Sequence, residues 1–209
     1  FGIPAHHPVI VQVGAIMPRK GPDKVLQAWR SLLPQFPDAH VLCVGPRADT
    51  HDPKLKEFGV QIAELVEGSG AAHQVHFAGI VEDVENSLRA ADIFILASNR
   101  EGTPNSVLEA MATGLPCLVT PYLGISAGIG RAGEHYQLVD RNSEAIANAL
   151  AGMLENAQRR SEFSQRGLRF VVDNLDQQLS LDRYAALYAE LQPRILPGEH
   201  PVHQAFFLS

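Results

Sequence analysis

Cysteine is scarce in this chain: only Cys43 and Cys117 occur among 209 residues. Each lies inside an apolar, strand-like run, so buried free thiols in a reducing compartment are the simple reading, with a disulfide left open. Long apolar runs are missing as well. None approaches the roughly 18 residues that a membrane-spanning helix needs. Excess positive charge is missing too. The formal net charge is −6, which argues against a general nucleic-acid role and means that any anion site must be built locally. There is no internal repeat, no low-complexity segment and no aspartate-rich or histidine-rich metal pattern. Gly68-Ser69-Gly70 is not a dinucleotide fingerprint, because no strand leads into it and no helix follows at the needed spacing. No signal-peptide pattern is visible. The chain starts at Phe1 and not at a methionine, so a fragment of a longer protein is expected.

What is present is enough for one sizeable core: 45% hydrophobic residues and 19% charged ones in 209 residues. Short β-branched and aromatic runs at 9–13, 41–44, 75–77, 93–96, 117–119 and 136–139 read as buried strands. Segments with helical spacing alternate with them. Pro22 opens one, carrying Val25, Ala28, Trp29, Leu32 and Leu33, and Pro34 closes it. Leu55, Phe58, Ile62 and Leu65 mark the next. Asp83 caps a short one over 84–90. Ser143 caps another bearing Ile146, Leu150, Met153 and Leu154. Two more follow, over 163–172 and around Leu181, Tyr184, Tyr188 and Leu191. Such alternation predicts an α/β fold: a doubly wound, Rossmann-like parallel sheet of about six strands with helices on both faces. Residues 1–8 read as a linker, 9–192 as the domain, and 193–209 as a tail. His6 and His7 on the linker are expected to be solvated and not to hold a metal.

The chain is organised around the stretch from Ser98 to Gly114. The apolar run 93–96 leads into a loop and then a helix, with Thr103 as N-cap and Pro104 as its first residue. The amides of Asn105 and Ser106 would then face outward without partners, and a helix start of this kind attracts phosphate. Val107, Leu108 and Met111 form a core stripe. Glu109 stands among apolar neighbours and needs a partner, as an unpaired buried charge is costly. Glu101 sits on the loop just before. Carboxylates repel phosphate, so both are assigned to neutral hydroxyls, with a sugar diol the obvious choice. A plain loop-to-helix joint with Glu109 paired to an arginine is the alternative.

The string Glu-Gly-x-Pro-x-x-x-Leu-Glu-Ala-Met-Ala-x-Gly-Leu-Pro, beginning at Glu101, resembles the Glu-x7-Glu signature of retaining glycosyltransferases of family 4 (group 1), which have the GT-B fold. Weaker matches extend over nearly the whole chain, from about Pro8 to Leu191. The resemblance implies one half of a GT-B enzyme: the donor-binding domain of a retaining, hexosyltransferase-type enzyme that moves a sugar from a nucleotide-diphosphate sugar to an acceptor hydroxyl, in glycan or polysaccharide biosynthesis. It implies Lys20 on the diphosphate, Glu109 on the ribose, Glu101 at the donor sugar hydroxyls, and backbone amides of Asn105 and Ser106 at the diphosphate. Ile80 and Val81 fall where the base lies. Gly14, Arg19, Gly102, Thr103 and Pro104 complete the expected donor-binding set, with Lys20 and Glu101 as the catalytic pair. One departure stands out: Ala15 follows Gly14 where the family often has arginine. The family's N-terminal acceptor-binding domain is the implied partner, and without it this chain is expected to be inactive.

Topology points the same way without the family. In an open doubly wound sheet, ligands sit at the carboxyl ends of the strands where the strand order reverses. In the common order the first and fourth strands flank that point, which brings Arg19, Lys20, Glu101, Asn105, Ser106 and Glu109 to one crevice. No cofactor and no metal are expected, and no nucleic acid. A cytoplasmic location is expected, with peripheral membrane contact through the other half left open. A non-catalytic nucleotide-sugar binding module and a GT-B relative such as a sugar-nucleotide epimerase are the competing readings.

Overall fold

The computed structural model describes residues 1–47, 51–123 and 127–191. Strand β1 (Val9–Val13) leads through a 3₁₀ turn, Pro18–Lys20, into helix α1 (Pro22–Leu32). Then follow β2 (His40–Val44), α2 (Pro53–Glu67), β3 (Val75–Gly79), α3 (Val84–Arg89), β4 (Ile93–Leu96), α4 (Asn105–Ala112), β5 (Cys117–Val119), β6 (Gln137–Leu138), α5 (Ser143–Glu155), α6 (Ala157–Leu175) and α7 (Gln177–Leu191). The six strands form one parallel sheet in the order β3-β2-β1-β4-β5-β6. The order reverses between β1 and β4, where Ile10 and Val11 stand opposite Ile93 and Phe94.

The strand sequences read as unbroken apolar runs because both faces of the sheet are covered. Ile10, Val41, Cys43, Ile93, Ile95 and Leu118 pack with α1, α2 and α5 on one face. Val11, Leu42, Val44, Phe94, Leu96, Cys117 and Val119 pack with α3 and α4 on the other. Strict alternation along each strand divides the two sets. Trp29 is fully buried, and its indole N–H donates to the Ala39 carbonyl at 2.7 Å, so the ring tip has its partner inside the core. Cys43 and Cys117 are both buried free thiols, on β2 and β5. Burial pushes Cys43 up to about 12 and raises Cys117 still further, so neither is a reactive thiolate.

Several boundaries differ from the sequence reading. Helix α4 starts at Asn105 with Pro104 in the cap position, and no side chain caps it; Thr103 does not fill that role. Asn142, not Ser143, caps α5, its side chain accepting from the Ala145 amide at 2.8 Å. Strand β6 keeps only two of the four expected residues. His6 is exposed as expected, but His7 is half-buried and bonded to His40. Two compact units emerge, Phe1–Val172 and Asp173–Ser209. The first holds the whole sheet and both core clusters. The second contains the described helix α7, with Leu181, Tyr184, Leu187, Tyr188 and Leu191 exposed. The expected tail at 193–209 lies outside the described residues, as do residues 124–126 of the glycine-rich loop.

Candidate functional site

The site forms where the loops after β1 and β4 meet. The β1 loop turns back sharply. Gly14 has φ +146°, and a Cβ there would meet Cδ and Cε of Lys20 at 3.3 Å, so the lysine stem lies across the bare glycine. Gly21 follows the 3₁₀ turn with φ +66°. A Cβ on it would stand 2.5 Å from the Ala97 carbonyl, so only glycine lets α1 begin this close to the end of β4.

Hydrogen bonds from three residues fasten this turn. Gln12 on β1 donates from Nε2 to the Lys20 carbonyl at 2.7 Å. The Asn99 amide donates to the Arg19 carbonyl at 3.1 Å. Arg141, just past β6, donates from Nη2 to the Pro18 carbonyl at 3.0 Å and from Nε to the Ala97 carbonyl at 2.7 Å. One guanidinium thus ties together the ends of three strands. Neither Gln12 nor Arg141 was among the residues expected from sequence. Gln12 carried a signal: a polar residue inside an apolar strand must be bonded when buried. Arg141 carried none, since an arginine in a loop is ordinarily solvated.

With the turn held, Lys20 Nζ donates to Glu101 Oε1 at 2.7 Å. Arg19 Nη1 stands 3.7 Å from Glu101 Oε2 and donates to the Arg100 carbonyl at 2.8 Å. The Glu101 side chain is only 9% exposed, so its charge is compensated by the two cations rather than by water. The Glu101 amide is itself held by the Leu123 carbonyl at 3.2 Å. Tyr122 is buried nearby; desolvation first, then Tyr136 and Glu101, push its hydroxyl up to about 12, so it stays neutral.

Helix α4 opens four residues beyond Glu101. The Asn105 amide, expected to be free, donates to the Thr103 carbonyl at 3.0 Å. Ser106 keeps the position expected of it, in the first turn, where an amide has no carbonyl within the helix to bond. Pro104 is buried, while Gly102 and Thr103 are exposed on the approach.

Glu109 overturns an expectation. Helix α4 buries Val107, Ala110 and Met111, which turns Glu109 outward with Asn105 and Ala112. The carboxylate is exposed and has no ion pair among the described residues, so it needs neither the buried partner nor the arginine. It lines an open cavity of about 460 Å³ between α3 and α4, shared with Glu82, Asp83 and Glu85. Leu108 is half-buried, not part of the fully buried stripe. At the carboxyl end of β3, Ile80 is 82% exposed and Val81 half-buried. Among the described residues no cluster of three or more His, Cys, Asp or Glu side chains is disposed to hold a metal ion, and no helix is long and apolar enough to cross a membrane.

The family model for glycosyl transferases group 1 matches residues 1–170. The D-inositol 3-phosphate glycosyltransferase of Corynebacterium urealyticum is 32% identical over 98% of this chain and 49% of its own length. The lipopolysaccharide core biosynthesis glycosyltransferase LpsE of Rhizobium meliloti is 26% identical over 89% of this chain and 51% of its own. The chain therefore spans about half the length of these relatives. Among solved structures, the C-terminal domain of the group 1 protein LpcC from Francisella tularensis superposes with a TM-score of 0.72 at 26% identity, covering 81% of this chain and 87% of that domain. HepE of Anabaena, solved in complex with UDP, gives 0.79 at 18% identity over 90% of this chain and 50% of its own. The fold is that of one half of the GT-B architecture. A family model and a relative that each align along most of the chain agree with what the strand order and the paired loops show, and the chain belongs to the group 1 glycosyl transferases.

Proposed function

We propose that this chain binds the nucleotide-diphosphate sugar of a retaining glycosyltransferase of glycan biosynthesis and holds its diphosphate during transfer. The observation that carries the reading is the Lys20–Glu101 pair at 2.7 Å, which joins the loops on either side of the strand-order reversal just ahead of α4. Without a ligand the two charges neutralise each other. A diphosphate entering beside the Ser106 amide competes for the ammonium and frees the carboxylate to accept from sugar hydroxyls. As the sugar leaves, negative charge grows on the diphosphate. A fixed ammonium and helix-start amide stabilise that charge more in the transition state than before it, which lowers the barrier. In this reading Glu109, exposed on α4, takes the ribose diol, and the uncovered face of Ile80 receives the base. Gly14 gives the lysine stem its path; Arg19 steadies Glu101; Gly102, Thr103 and Pro104 shape the approach. Charge stabilisation by these groups needs no divalent metal.

The support from relatives is their names: one solved neighbour is in complex with UDP-glucose, and two sequence relatives are named as a glycosyltransferase and a mannosyltransferase of lipopolysaccharide core biosynthesis. The acceptor half of the enzyme is the proposed partner, since bringing an acceptor hydroxyl to the donor is a matter of proximity that this domain does not supply alone. Ala15, where the family often places arginine, favours a second reading, a binding module without turnover. Calorimetry with UDP, GDP and ADP sugars tests the binding claim. A dissociation constant between micromolar and millimolar is expected, about −8 to −4 kcal/mol. Silence with all three on folded protein would defeat it. Sugar transfer by the full-length enzyme, and its loss with Lys20→Ala, separates enzyme from module.

A further inference from the structure

On the α1 side of the Lys20–Glu101 pair lies an open cavity of about 590 Å³, walled by Arg19, Asp23, Lys24, Asn99, Arg100 and Arg141 among others. It borders the donor site and shares Arg19 with it, but its lining includes none of Lys20, Glu101 and Ser106, the groups assigned to the donor diphosphate and sugar. Its charge is one-sided. Four cations face one carboxylate, in a chain whose formal net charge is −6.

The cations are not cancelled by what they touch. Lys20 and Arg19 share the single carboxylate of Glu101, at 2.7 Å and 3.7 Å, so a net positive charge remains. Arg141 spends its hydrogen bonds on the neutral carbonyls of Pro18 and Ala97, which orient the guanidinium without neutralising it. Arg100 has no ion pair among the described residues. Lys24 is matched by Asp23 at 3.4 Å. Two of these side chains, Arg19 and Arg141, are held in place by backbone carbonyls, so little freedom is lost on closing around an anion.

We propose that this cavity is a second anion subsite, which takes a phosphate group. The fork geometry of arginine suits a tetrahedral oxyanion, and the cavity has room for the small molecule that bears it. The site stands on its lining and not on the donor reading above.

The test is a titration of the 209-residue protein with inorganic phosphate at low ionic strength, read by amide and arginine Nε–H NMR shifts, with and without saturating UDP. Saturable shifts are expected at Lys24, Asn99 and Arg100, and they persist in the presence of UDP. The double variant Lys24→Ala/Arg100→Ala weakens phosphate at least fivefold and leaves UDP affinity within twofold. Shifts confined to Lys20 and Ser106 and abolished by UDP would show that phosphate merely visits the donor pocket, and the proposal fails. It fails equally if no saturable shift appears, or if the double variant binds phosphate as the parent does. Phosphate binding with no UDP binding keeps the anion site and removes the donor reading, so the two failures are told apart.

Discussion

At the scale of single residues, the site depends on polar groups whose places are set by what burial tolerates. Lys20 is assigned to phosphate because it ends, desolvated, against Glu101. Lys20→Ala is expected to weaken nucleotide-sugar binding by more than about 1 kcal/mol, the usual size of a lost charge-assisted contact. A calorimetric titration beside the parent protein measures it, and an unchanged affinity would falsify the assignment. Gln12 is 4% exposed, and its Oε1 has no partner among the described residues, while Nε2 holds the Lys20 carbonyl. Replacing it with leucine removes an orphaned acceptor but leaves that carbonyl unbonded, a cost of about 1–3 kcal/mol. Chemical denaturation reads that cost, and nucleotide affinity reads the loosened turn. Ser98 Oγ is fully buried and likewise has no partner among the described residues.

At the scale of elements, the amino ends of the strands hold a feature unrelated to the site. His7 Nδ1 meets His40 Nε2 at 3.0 Å, and His40 Nδ1 meets His76 Nε2 at 2.9 Å. With the protons of His40 and His76 on Nε2, both contacts are satisfied in one direction. A proton added to His40 turns its acceptor nitrogen into a donor facing a donor. Burial first, then His76, His7 and His73, lower His40, against a small opposing effect of Asp38; burial also leads in lowering His76, with the N-terminal amine and His73 adding to it. A histidine lowered in the folded state contributes stability that is present above its unfolded value of about 6.5 and is lost as the pH falls through it toward the folded value. Melting temperature is therefore expected to be flat from pH 8 to 7 and to drop between pH 6.5 and 5. In His40→Gln, that drop is expected to be smaller; an equal drop would place the acid sensitivity elsewhere. The β1–α1 connection offers a second check. Gly21→Ala forces a side chain into a left-handed conformation 2.5 Å from the Ala97 carbonyl. A loss of more than about 1 kcal/mol in stability is expected, together with weaker nucleotide binding, as α1 backs away from β4.

At the scale of the whole molecule, both core clusters and every candidate site residue fall within Phe1–Val172. A chain ending at Val172 should melt cooperatively within a few degrees of the 209-residue protein and bind nucleotide equally well. Scanning calorimetry and a UDP titration decide this. Collapse of the shortened chain would show that residues from Asp173 onward contribute to the core.

The two-faced parallel sheet and the meeting of the loops that carry Lys20 and Glu101 were legible beforehand; the bond between those two side chains was not, since both were assigned to a ligand. Apolar runs of four or five residues alternating with helical spacing admit few parallel arrangements, and a doubly wound order brings the loops after β1 and β4 together. The surroundings of Glu109 were not legible. Its apolar neighbours in sequence suggested burial, but a helix buries one stripe, and the rotation of α4 is decided by how Val107, Ala110 and Met111 meet β4 and β5. Local sequence thus determines which segments become strands and helices, because propensity and periodicity are properties of a dozen neighbouring residues. Which charges are sealed, which face water, and that Arg141 would reach back across three strand ends, were decided only in the tertiary structure. Those are contacts between residues far apart in the chain, and no window of sequence contains both partners.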